Sequence, residues 1–176
     1  MKINWHNQCY HGIVLLAVLS RFLPHPPNFT PIGALGLYTG AYAGRLSTWL
    51  VPLAALVISD LIIGLYEPVA MLMVYLGFLA SMVLGRLLLN RNRGMLTVLG
   101  ASFVSAVLFF LFSNLGVWLS GTLYPLSIPG LSACFVAALP FFGNTLAGHV
   151  IYGAVMFGLF EYLTKMLSNS RLAQTA

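Results

Sequence analysis

The residues that could do chemistry in this chain are few and unevenly placed. The stretch Arg21 to Pro31 reads R-F-L-P-H-P-P-N-F-T-P and holds four of the nine prolines. Prolines at this density remove backbone donors and forbid a helix interior, so the segment is extended and rigid. His25, held between two of them, is an imidazole on a nearly fixed backbone, which suits a ligand or metal contact. Asn28 is placed either to cap the following helix or to touch a substrate. Asp60 stands among isoleucines and leucines, and an ionised group within a bilayer needs a partner or a wet cavity. Arg21 falls at a similar level, so the two residues form a bridge, grip a polar ligand, or do both. Asn114 and Asn144 need hydrogen-bond partners if buried, from a neighbouring helix or from a substrate. Trp118 and Tyr124 belong to an interfacial aromatic belt or offer faces on which a ring system could stack.

Other chemistries find no support. The sequence has no paired-histidine motif, nucleophile elbow, P-loop or carboxylate cluster, and an enzyme is not expected. Cys9 and Cys134 match no metal-ligand spacing, so no protein-held metal is expected. His149 reads as a packing histidine inside a helix. With 6% charged residues the chain cannot build a nucleic-acid surface, although its net charge is +5.

The elements that must position these residues are apolar helices. The chain has 176 residues, 60% of them apolar, and a mean hydropathy of +0.93. Soluble domains carry about 25% charged residues, so an all-α integral membrane protein is expected. No Lys, Arg, Asp or Glu occurs between Gly94 and Phe160. The start of the chain has no signal-peptide pattern.

Six helices follow from the punctuation. The first runs from about residue 7 to Leu23, and the second from Ile32 to Gly44, with Gly36, Gly40 and Gly44 at four-residue spacing. That face suits close helix packing within the chain or docking to a partner. The third runs from Thr48 to Tyr66 with Pro52 in its first turns, and Glu67-Pro68 turns into the fourth, Val69 to Leu89. The fifth covers Met95 to Ser120. After a Pro/Gly-marked loop at 121–130, a short helix at 131–139 is expected to end or kink at Pro140, with helix 6 following to Lys165. The whole forms one domain, 1–176, with an outer loop at 24–31 as its lid, a basic loop at 90–94 and a flexible tail at 168–176.

Six spans put both termini on one side. With that side inside, Lys2, Arg45, Arg86, Arg91, Arg93, Lys165 and Arg171 are cytoplasmic and only Arg21 is outside. This positive-inside pattern places the 24–31, Glu67 and 121–130 segments together on the outer face.

The blocks R-F-L-P-H-P-P-N-F-T-P-I-G-A-L (21–35), V-P-L-A-A-L-V-I-S-D (51–60), F-S-N-L-G-V-W-L (112–119) and P-F-F-G-N-T-L-A-G-H-V-I-Y (140–152) resemble an uncharacterised bacterial family of six-helix inner-membrane proteins. More distantly, the plan is similar to the substrate-binding S-components of energy-coupling-factor vitamin importers, nearest to the solitary cobalamin-uptake members. That resemblance implies an S-component-like bundle, an outward-facing pocket closed by the first loop, and a coupling membrane protein with ATPase subunits as partner. It also implies a cobalamin-like ligand, with His25 in the gating loop and Asp60 and Asn114 near the pocket. The cysteine that ligates cobalt in those members has no counterpart in Cys9 or Cys134, so a cobalamin would need His25 as its axial ligand instead. A substrate-binding subunit for vitamin-like uptake is therefore expected. The alternative is a non-transporting accessory protein that works through its glycine face.

Overall fold

The segment Ile32–Tyr42 is apolar on every side, and a helix with no polar face belongs at the centre of a bundle. The computed structural model describes the backbone of residues 5–44 and 46–175, with side chains over 5–44 and 48–169. Lys2, Arg45 and the side chain of Arg171, three of the basic residues counted for orientation, lie outside that description. Six α-helices follow one another among the described residues: α1 Trp5–Ser20, α2 Ile32–Tyr42, α3 Leu46–Ile63, α4 Pro68–Leu88, α5 Met95–Leu119 and α6 Ile128–Thr175. In α2 every residue from Ile32 to Ala41 is buried. The other five helices all pack on it: α4, α5 and α6 form a consecutive antiparallel row, and the backbone of α3 comes close to α1 and α2.

Glycines set how closely α2 and α4 approach. A Cβ on Gly36 would fall 2.7 Å from the Ser81 Cβ, one on Gly40 would strike the Met82 carbonyl, and one on Gly85 would strike the Leu37 carbonyl. Gly36 and Gly40 of the small-residue face are thus occupied within the chain by α4, whereas nothing lies within 4 Å of a Cβ added at Gly44. Ser105 Oγ donates to Ser81 Oγ at 2.8 Å and ties α5 to the same seam.

Two prolines depart from expectation. Pro52 lies well inside α3, because that helix begins earlier than the sequence suggests. Its missing N–H leaves the Thr48 carbonyl without its helical donor, and the Tyr10 hydroxyl donates to that carbonyl at 3.3 Å. Pro140 neither ends a helix nor separates two: α6 is one 48-residue helix that runs through it. A proline removes one backbone bond, and packing on both sides holds the axis together. Here Phe110 of α5 faces Phe135 and Phe142, with ring centroids at 5.8 and 5.1 Å. The remaining boundaries agree with expectation to within a few residues, except that α6 runs on to Thr175 instead of stopping at Lys165. Pro68 occupies the first turn of α4, and Glu67 Oε2 caps it by accepting from the Ala70 N–H at 2.8 Å.

Three of the helices, Pro68–Leu88, Met95–Leu119 and the Ile128–Asn169 part of α6, are long and apolar enough to cross a membrane. Large aliphatic side chains stand exposed around the bundle, among them Leu16, Ile62, Leu72, Val104 and Ile151, as expected where lipid is the solvent. The protein is a multi-span α-helical membrane protein.

Candidate functional site

Charge enters the bundle at the end where α1 and α3 stop. Arg21, in the turn after α1, reaches across to α3. Its Nη2 donates to Asp60 Oδ1 at 2.6 Å, and its Nη1 donates to Ser59 Oγ and to the Leu56 carbonyl. From the opposite side, the Tyr75 hydroxyl of α4 donates to Asp60 Oδ2 at 2.9 Å. Asp60 is 3% exposed, so both carboxylate oxygens are satisfied out of water. The result is a buried network of a guanidinium, a carboxylate, a hydroxyl and a phenol, joining three helices that otherwise diverge. Tyr66, in the loop after α3, feels the same field. Partial burial, and then the Asp60 charge, push its phenol up to about 12, with Arg21 opposing them.

The loop beside this network is held by α6. Asn144 Nδ2 donates to the Pro27 carbonyl at 3.0 Å. Gly148 presents so little bulk that a Cβ there would come 3.0 Å from the Thr30 carbonyl, and Phe29 leans on Tyr152 with ring centroids 5.5 Å apart. Asn28 takes a left-handed backbone, φ 64°, which asparagine tolerates better than most residues. Pro31 rather than Asn28 sits at the N-cap of α2, and no side chain caps that helix. His25 is exposed at the crest of the loop, with Nδ1 3.0 Å from the Pro26 carbonyl. If that nitrogen carries the proton, Nε2 keeps its lone pair and faces outward chemistry.

The remaining residues singled out in the sequence stand apart. Asn114 Nδ2 donates to the Phe110 carbonyl within its own helix, and the Asn114 carbonyl accepts from Cys134 Sγ. Trp118 Nε1 donates to the Pro125 carbonyl at 3.1 Å, closing the α5–α6 loop on which half-buried Tyr124 lies. Because α5 packs on α2, α4 and α6 and not on α1 or α3, these three do not meet Arg21 and Asp60. Both cysteines are free. Among the described residues no group of three His, Cys, Asp or Glu could hold a metal ion.

His149 is buried, as its place within an apolar helix suggests. Its Nδ1 lies 2.9 Å from the Thr145 carbonyl, and its Nε2 presses on Gly33, where any Cβ would overlap the ring. That nitrogen has no hydrogen-bond partner among the described residues.

Sequence reasoning passed over Ser59 and Tyr75. A tyrosine in an apolar run reads as packing, and the signal that could have found Tyr75 is its distance from the start of α4. It lies seven residues in, about 10 Å along the axis, which is close to the depth at which Asp60 needs a second donor. The opposite end of the bundle, around Arg93 and Tyr42, was also passed over and is described further below.

No curated protein and no solved structure matches the chain. A family model matches residues 1–172, and by it the chain belongs to a family of unknown function, DUF6580.

Proposed function

We propose that the protein is a substrate-binding membrane subunit that takes up a vitamin-like small molecule from the outer side of the bacterial inner membrane. In this reading six helices span the bilayer with both termini in the cytoplasm, in an S-component-like arrangement. A coupling membrane protein with ATPase subunits supplies the energy. The observation that carries it is the buried Arg21–Asp60 pair with its Ser59 and Tyr75 partners. Withdrawing two charges from water costs several kcal/mol per ion, and an apolar pair of similar volume would be as stable or more so. Intramembrane ionisable groups of this kind mark substrate and ion paths.

The adjacency of that pair to the 21–31 loop suggests a mechanism. A polar group on the ligand competes for the Arg21 guanidinium or the Asp60 carboxylate. Exchange of that partner loosens the last turn of α1, and with it the segment that leads to His25. The loop's other end stays fixed to α6 through Asn144 and Gly148, so it swings rather than detaches. A cobalamin is the ligand for which His25 has a direct use, as an imidazole donor to cobalt.

The test is a thermal-shift screen of the purified protein against a panel of vitamins that includes cobalamins. A ligand at a hundredfold excess over its Kd stabilises by about 2.7 kcal/mol. The expected result is one class of compound that raises the midpoint in the wild type and fails to do so in Asp60→Asn. No stabilisation by any member of the panel at saturation would overturn the proposal.

A further inference from the structure

At the end of the bundle away from the 21–31 loop, the chain assembles a second polar site. A cavity of about 540 Å³ opens between the start of α1, the end of α2 and α6, and Arg93, Tyr42, Thr48 and His6 are among its walls. A smaller one of about 340 Å³ adjoins it, shares Arg93, and has Glu161 on its far side. Few residues of this chain are polar, and the larger cavity gathers a guanidinium, an imidazole, an amide, a hydroxyl and two phenols.

Arg93 is the centre of the arrangement. Its guanidinium lies 4.3 Å from the centroid of the Tyr42 ring. Nη2 donates to the Ala41 carbonyl at 2.8 Å and to the Asn90 carbonyl, and Nε donates to the Leu89 carbonyl. These are carbonyls at the ends of α2 and α4, the partial negative poles of those helices. By covering them, Arg93 removes the negative potential that would repel an anion from the cavity. Its Nη1 has no partner among the described residues, and neither has the buried Tyr42 hydroxyl. The Tyr42 and Phe160 rings, with centroids 4.1 Å apart, and His6 against Phe160 at 5.1 Å make an aromatic wall of mutually tilted rings beside Arg93. Glu161 lines the smaller cavity, and its carboxylate also acts on Tyr42 in the larger one, but there the Arg93 charge outweighs it.

We propose that the larger cavity binds a phosphate-bearing ligand. The Arg93 Nη1 donors, the Thr48 hydroxyl and His6 hold the phosphate oxygens, and the Tyr42–Phe160 wall takes the adjoining organic body. A phosphate offers three strong acceptor oxygens, more than a carboxylate can present to so many donors. A lipid headgroup and a soluble phosphate ester share this chemistry. The site is distinct from the Arg21–Asp60 network, and its fate does not depend on that of the uptake reading.

The experiment measures thermal stability of the full chain in nanodiscs. Two probes are used: glycerol 3-phosphate added to phosphatidylcholine discs, and phosphatidic acid incorporated into the discs. The variants are His6→Phe and Thr48→Val, which keep an aromatic ring and the β-branched shape and leave Arg93 in place. Stabilisation of the wild type is expected with one or both probes, weakened roughly tenfold in apparent affinity by each variant. A response to glycerol 3-phosphate supports a soluble ligand, and a response to phosphatidic acid alone supports a lipid headgroup. No response to either probe overturns the proposal. So does an equal response in wild type and both variants, since surface charge alone would then account for it.

Discussion

At the scale of single residues, the Arg21–Asp60 pair separates what the fold needs from what the pair is for. Asp60→Asn removes the charge and strands a guanidinium that is itself mostly buried. The expected loss is about 3–5 kcal/mol, readable as a fall in the thermal midpoint of the purified protein. Replacing both members, Arg21→Met with Asp60→Leu, removes the stranded charge and should restore most of that loss. If the uptake reading is right, the double variant is stable and does not respond to ligand; a stable variant that still responds assigns the pair to architecture. Tyr75→Phe should cost about 1–3 kcal/mol, because it leaves Asp60 Oδ2 buried without its donor. His25 offers the opposite contrast. It is exposed and bonded only within its own loop, so His25→Ala should leave the thermal midpoint nearly unchanged while weakening ligand binding. Equal losses in both would make it structural. The Arg21–Asp60 pairing was legible in the sequence because two opposite charges at matching depth in an apolar chain have few other options. Its tyrosine was not, because nothing in a helix's apolar pattern says which phenol points at a carboxylate from another helix.

At the scale of elements, the glycines of α2 and α4 carry the packing. Gly40→Ala places a methyl group against the Met82 carbonyl, where no flexible side chain can yield. A cost of about 1–3 kcal/mol or more is expected, with Gly85→Ala similar. Gly12→Ala in α1 is the control: nothing lies within 4 Å of its added Cβ, and the higher helix propensity of alanine should make it neutral to stabilising by up to about 1 kcal/mol. A thermal-midpoint series over these three variants checks the assignment. If Gly12→Ala is as damaging as Gly40→Ala, close approach is not what the glycines provide. The four-residue spacing announced a packing face, but spacing cannot say whether the partner belongs to the same chain. Pro140 shows the converse limit. A proline is a strong local signal, yet a lost bond and a steric clash worth about 3 kcal/mol are outweighed where Phe110 of α5 packs against Phe135 and Phe142 on either side of it. Pro52 was misplaced for a related reason, since the donor that repairs its helix comes from Tyr10, far away in sequence.

At the scale of the whole molecule, the two candidate sites are fixed to one helix. From Asn144, which holds the 21–31 loop, to Glu161, beside the Arg93 cavities, is about 26 Å of uninterrupted α-helix. The hydrocarbon layer is about 30 Å thick, so α6 presents one site near each boundary and continues beyond both. A helix without a break in that interval behaves as a rod. It cannot shorten or fold to let one end move alone, so a displacement at the loop becomes a tilt that the far cavity must share. If both sites bind as proposed, they are opposite ends of a single seesaw, and an occupant of the pocket by Arg93 biases the angle at which the loop by Arg21 is held.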